Sequence, residues 1–189
     1  MQKYLKKAGL KDLFSNEKGL LDILEKFDRE EKLNTTFATK YSHMLNLDVN
    51  HFSKKPRVRI SIMPEEPMEV LEPNTSTLEQ RINDCKRLES LGWEVHWNFS
   101  PVVIYKNFTT DYRNLISSLL PRPCEVIFLT NHKNSMERAS ENVIKYIQHS
   151  NEIKNSSGVM RYKSKHKRKA VEWIRKVLEE NNFKVRYIF

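Results

Sequence analysis

Arg57-Val58-Arg59-Ile60-Ser61-Ile62-Met63-Pro64 is an alternating run that closes on a small polar residue and a proline. Two further runs share its form. Phe37-Ala38-Thr39-Lys40-Tyr41 precedes it, and Val95-His96-Trp97-Asn98-Phe99-Ser100-Pro101-Val102-Val103-Ile104-Tyr105 follows it. β-Branched and aromatic residues in such runs favour strands. A strand whose C-terminal end carries Lys, Ser or Ser-Pro is how (β/α) barrels place ligand-binding groups on their mouth.

Helical patterns lie between and around these strands. Leu20, Ile23, Leu24 and Phe27 recur at helical spacing, so an amphipathic helix is expected near residues 17 to 31, followed by a strand from Asn34 to Thr39. A short helix and loop are expected from Met44 to Ser53, and a strand from Arg57 to Met63. Pro64, Pro67 and Pro73 mark a long connection. Ser76, with Glu79 three residues on, predicts a capping box for a helix reaching Leu91, with Leu78, Ile82, Cys85 and Leu88 on one face. Gly92 ends that helix and opens a strand from Glu94 to Tyr105. Tyr112, Leu115, Ile116 and Leu119 line the next helix, and Glu125 to Leu129 is a buried strand with Asn131 and His132 at its end. Asn134 caps a helix carrying Met136, Ala139, Val143 and Ile147.

This alternation predicts an α/β fold of parallel strands with right-handed helical crossovers. At 189 residues the chain is too short for a complete barrel, so a partial (β/α) barrel fragment is expected over residues 1–150. A basic C-terminal appendix follows over 151–189: a hairpin around Met160 to Lys163, a helix faced by Ala170, Trp173, Ile174 and Val177, and a closing strand Phe183-Lys184-Val185-Arg186-Tyr187-Ile188-Phe189.

Composition narrows the function. Hydrophobic residues at 39% with 10% aromatics belong to a folded chain, and no internal repeat is present. The apolar runs are far short of a membrane span and no signal-peptide pattern appears, so a cytoplasmic protein without membrane association is expected. Of the net charge of +9, Asn151–Phe189 carries +7, from eleven Lys and Arg against four Glu. Seven of those cations fall between Lys154 and Lys169 without a single acid. Such a block points to a polyanion, because each phosphate contact releases condensed counterions.

No nucleophile elbow, phosphate-cradling glycine loop or zinc pattern is present. Cys85 falls on an apolar helical stripe and Cys124 begins a strand, so both read as packed thiols. His96 and His132 each stand alone and read as structural.

Several blocks together resemble the spore photoproduct lyase family of radical S-adenosylmethionine enzymes, which repair a thymine dimer in DNA. They are Phe37–Tyr41, Arg59–Ile62, Leu71-Glu72-Pro73-Asn74-Thr75-Ser76 before an arginine-bearing helix, Gly92-Trp93 through Ser100-Pro101 to Tyr105, Tyr112, and Lys184–Ile188. The resemblance covers roughly residues 17 to 189 and implies the second half of such an enzyme. It implies that Lys40 pairs with the carboxylate of S-adenosylmethionine, that Ser61 donates a hydrogen bond to it, and that the backbone at Ser100 faces its adenosine. The family usually has Ala at the Ser100 position. The resemblance also implies a hairpin at Gly158–Lys163 that wedges into DNA, with Arg161 and Tyr162 against an unstacked base. Lys163, Lys165, Lys167 and Arg168 continue that DNA-binding face.

The family's chemistry needs a [4Fe–4S] cluster on three cysteines, and the two cysteines here stand 39 positions apart. The chain is therefore expected to be a separately encoded C-terminal part, inactive alone, whose partners are DNA and a second polypeptide carrying the cluster. The alternative is a non-catalytic DNA-binding module or relic of the family.

Overall fold

The computed structural model describes residues 17–30, 34–132, 139–150, 153–156 and 159–189. Helix α1 (Glu17–Arg29) precedes β1 (Thr36–Thr39), a 3-10 turn (Ser42–Met44) and β2 (Arg57–Ile62). Then come α2 (Glu65–Leu71), α3 (Leu78–Ser90), β3 (Glu94–Val102), α4 (Phe108–Ser118), β4 (Cys124–Phe128) and β5 (Thr130–His132). The chain continues through α5 (Glu141–Ser150), β6 (Ile153–Ser156), β7 (Val159–Tyr162), α6 (Ser164–Glu180) and β8 (Val185–Ile188).

Five strands form one open sheet in the order β1-β2-β3-β4-β8, with every pairing parallel. The expected α/β partial barrel with parallel strands is what the chain forms. The closing strand joins the same sheet by pairing with β4. The hairpin β6–β7 adds β5 to make a second, antiparallel sheet in the order β5-β7-β6.

Period-2 alternation divides the main sheet into two unlike faces. Val58, Ile60, Ile62, Val95, Trp97, Phe99, Cys124, Val126 and Phe128 are buried in the core with Leu88 of α3, Ile116 of α4 and Ile174, Val177 and Leu178 of α6. Burying a side chain of this size contributes about 1.5–3 kcal/mol, so this layer carries most of the fold's stability. The opposite face is polar: Arg57, Arg59 and Ser61 on β2, Glu94, His96 and Asn98 on β3, and Glu125 on β4.

Three local features differ from the sequence reading. The connection after β2 contains α2, because Pro64 sits at its N-cap and Pro67 in its first turn, where a missing N–H loses no intrahelical bond. The capping box of α3 is Thr77 with Gln80, whose backbone N–H donates to Thr77 Oγ1 at 3.2 Å while Thr77 N–H donates to Gln80 Oε1 at 2.9 Å. Thr130–His132 forms a separate strand because the hairpin offers it a pairing edge. The expected cap at Asn134, with Met136, lies outside the described residues. Gly92 ends α3 at φ +91°, and a Cβ there would meet Asn50 N at 2.7 Å, so both backbone and space require glycine.

Candidate ligand site at the strand ends

The C-terminal ends of β1, β2 and β3 bring Lys40, Ser61 and Ser100 to one edge of the sheet. Thr39 pairs with Ile60, which sets Lys40 one step beyond, and Ser61 pairs with Asn98. Ser100 follows two residues later on β3, half-buried, at a cis Ser100–Pro101 peptide beside an irregular step in the β3–β4 register.

Behind this edge stands a buried ion network that the sequence reading passed over. Arg81 of α3 is wholly buried. Its Nε donates to Ser76 O at 2.9 Å and its Nη1 to Ser61 O at 2.7 Å. Its Nη2 donates to Glu72 Oε2 at 2.9 Å and to Thr75 Oγ1 at 2.5 Å. The other oxygen of the buried Glu72 takes the Lys40 ammonium. Ser76 N–H donates to Lys40 O at 3.2 Å, fixing the backbone at the same point. A buried guanidinium is tolerable because its donors meet a carboxylate and backbone carbonyls in fork geometry. Glu72 with Arg81 and Lys40 leaves one net positive charge, and it is presented at Lys40, whose side chain is 38% exposed.

Ser61 and Asn98 complete the donor set. Asn98 Nδ2 donates to Ser61 Oγ at 3.1 Å, which leaves the Ser61 hydroxyl proton to donate elsewhere. Asn98 Oδ1 is buried and has no hydrogen-bond partner among the described residues. An ammonium, a hydroxyl donor and an open acceptor are together what an α-amino-acid group requires: a cation for its carboxylate and an acceptor for its amine. The methionyl part of S-adenosylmethionine therefore fits the residues present. Signals for Arg81 and Asn98 lay in the sequence, as a charge at core spacing on the α3 stripe and an amide inside an apolar strand.

Further down the same face, ion pairs line the sheet. Arg57 holds Glu94 through Nε at 3.0 Å, and Glu94 meets His96 Nε2 at 2.6 Å. Arg59 Nη1 and Tyr187 OH donate to Glu125 Oε2 at 2.7 and 2.6 Å. Burial works to raise both carboxylates, but the hydrogen bonds from Arg57 and His96, and from Arg59 and Tyr187, outweigh it and hold them low. Burial dominates at His96 and keeps its imidazole below the ordinary value, against the pull of Glu94. His96 is thus a structural histidine in an ion-paired wall.

The basic segment divides by burial. Arg161, Lys163, Lys165 and Arg168 are exposed. Lys167 is half-buried, its ammonium 5.8 Å from the Phe128 ring and 5.4 Å from the Phe189 ring. Tyr162 differs from the expected base-stacking ring, because it is buried in the core. Its hydroxyl accepts from Ile104 N–H at 2.8 Å, and its ring meets Phe128 edge-on at 6.4 Å. Gly158 and the side chains of Val159 and Met160 lie outside the described residues.

Cys85 and Cys124 are free and buried, and burial pushes both thiols up to about 12. No group of three or more His, Cys, Asp or Glu able to hold a metal ion occurs among the described residues. No helix among them is long and apolar enough to cross a membrane.

An open parallel sheet with a cation, a hydroxyl and an amide gathered at its strand ends defines the class: an α/β partial barrel. A family model described as spore photoproduct lyase matches residues 9–128, well over half of the chain, and the chain belongs to that family. It is 29% identical over 97 residues to the spore photoproduct lyase of Bacillus subtilis (strain 168), covering 51% of this chain and 28% of that protein. Against the spore photoproduct lyase of Clostridium acetobutylicum the identity is 27% over 97 residues, covering 51% and 29%. The chain thus matches under a third of the length of these curated relatives. Its fold superimposes on a cysteine-to-serine variant of a spore photoproduct lyase with a TM-score of 0.73 at 17% identity, covering 90% of this chain and 54% of that one. A second solved variant, carrying bound AdoMet and dinucleoside spore photoproduct, gives 0.70 at 18% identity over the same shares.

Proposed function

We propose that this chain forms the cofactor-binding and DNA-facing part of a radical S-adenosylmethionine DNA repair lyase that acts on a thymine lesion. The cluster cysteines come from outside these 189 residues, whose two cysteines, Cys85 and Cys124, cannot supply the three that such a cluster needs. The observation that carries the reading is the convergence of Lys40, Ser61 and Asn98 at the strand ends, backed by the buried Arg81–Glu72 pair. Family membership and the bound ligands of the solved relative support it.

When bound beside a reduced [4Fe–4S] cluster, S-adenosylmethionine supplies one-electron chemistry at a C–H bond. The residues of this chain bind and orient. Lys40 pairs with the cofactor carboxylate, Ser61 donates a hydrogen bond, Asn98 accepts one, and the backbone at Ser100 faces the adenosine. Arg161, Lys163, Lys165 and Arg168 neutralise DNA phosphates, with Lys167 contributing less because its ammonium already lies against two rings.

The test is S-adenosylmethionine binding, measured anaerobically by calorimetry, on a complex of this chain with the cluster-bearing part of a spore photoproduct lyase. Lys40→Ala and Ser61→Ala should each weaken binding about tenfold or more, the scale of a hydrogen bond to a charged group. Unchanged affinity in both variants would sink the site. A complex that binds DNA but no S-adenosylmethionine would favour the non-catalytic binding module. With only two cysteines, 39 positions apart and both buried, the chain alone should bind no iron on reconstitution.

A further inference from the structure

A groove of about 490 Å³ runs between α4 and α6, and none of Lys40, Ser61, Asn98 and Ser100 lines it. Ile104, Phe108 and Thr109 form one wall, and His166, Lys169, Ala170 and Trp173 form the other. The last four recur at i, i+3, i+4 and i+7, so one stripe of α6 supplies the whole wall. Its volume lies in the range of about 300–1,000 Å³ typical of small-ligand sites.

The lining combines an aromatic platform with a cation. Trp173 is half-buried, with Phe108 at 5.1 Å and the Arg113 guanidinium 5.8 Å from its ring. The other two tryptophans, Trp93 and Trp97, are 2% and 1% exposed. The groove opens beside the basic run, where residues 161–169 hold six Lys and Arg and no acid. It is also fastened to the hairpin, because Ile104 N–H donates to Tyr162 OH at 2.8 Å. A ligand in the groove is therefore held in fixed relation to the exposed Arg161 on β7.

We propose that this groove binds one nucleotide of single-stranded DNA, its base against Trp173 and its phosphate against Lys169. Charge complementarity selects a polyanion, and the aromatic platform selects an unstacked base over a duplex, whose base faces are already covered. The inference rests on the DNA reading above and adds a second contact point, beyond the exposed cations, for a strand opened at a lesion.

The experiment uses the full chain and an oligothymidylate of eight nucleotides, followed by tryptophan emission and by anisotropy of a labelled oligonucleotide. Binding should quench the emission. Lys169→Glu should weaken it about tenfold. Lys176→Glu is an equal charge change on the same helix at an exposed residue outside the groove lining, and it should cost less than twofold. Trp173→Leu should remove the quenching and weaken binding about tenfold, the scale of one lost base stack. Should Trp173→Leu fail to fold, quenching in the unaltered chain and its loss in Lys169→Glu but not in Lys176→Glu decide together. Equal losses from both lysine variants, or anisotropy without quenching, would overturn the groove and leave the DNA reading standing. No binding of either the oligonucleotide or a duplex would overturn both.

Discussion

Replacing Arg81 by Met isolates the network behind the strand-end site. Methionine keeps the length and flexibility of the side chain but removes every donor. The change leaves Glu72 buried with Lys40 as its remaining cation, and strips a hydrogen bond from the carbonyls of Ser61 and Ser76. Breaking a buried ion pair by removing one partner costs about 3–5 kcal/mol, because the other charge stays desolvated. Against a typical total of about 5–15 kcal/mol this is a large share of the fold's stability. At about 2–4 °C per kcal/mol for a chain of this size, the melting temperature should fall by roughly 6–20 °C. Urea unfolding followed by tryptophan emission and by circular dichroism measures the loss. The double variant Arg81→Met, Glu72→Leu should recover a substantial part of it, since no buried charge then remains and the one left unpaired, Lys40, is 38% exposed to water. A loss below about 1 kcal/mol in the single variant, or strict additivity in the double, would refute the view that charge burial is what Arg81 answers.

Acid should destabilise the protein in two stages. His96 has its folded value depressed below 6.5, and Glu94 and Glu125 below 4.5, so each group stabilises the fold above its unfolded value and loses that contribution as pH falls through the folded one. Stability measured by urea titration should decline below pH 6.5 and more steeply below 4.5, and Glu125→Gln should flatten the lower limb; a flat profile between pH 7 and 4 would contradict the ion-paired wall. With thiols raised to about 12, Cys85 and Cys124 should resist a thiol reagent in the native protein and both react in urea. Rapid native labelling would show that the core around α3 and β4 opens. Duplex DNA binding should weaken with salt at a slope of about −3 to −4 in log units if about four phosphates are contacted, and charge reversal at Arg161, Lys163 and Lys165 should flatten it. A slope near zero in the unaltered chain would rule out the phosphate contacts.

The sheet was legible because a strand advertises itself locally. The alternation in Arg57–Ile62 and Glu94–Val102, the glycine stop at Gly92 and the helical stripes between them depend on neighbours a few residues apart. The presence of Lys40, Ser61 and Ser100 at strand ends followed from the same local pattern. The partnerships behind them did not, because they join residues distant in sequence. Glu72 reaches Lys40 across 32 positions and Arg81 reaches Ser61 O across 20, meetings that only the parallel pairing of β1, β2 and β3 creates. Tyr162 shows the same limit from the other side. Beside Arg161 in a basic hairpin it reads as an exposed ring, yet its alternate place on β7 turns it onto Phe128 and the Ile104 amide. Sequence by itself determined which segments are strands and where the positive charge lies, since both are sums over local residues. Which polar groups are buried together, and which cations stay open to solvent, was decided by tertiary structure, because desolvation and pairing depend on what the fold brings within hydrogen-bond reach.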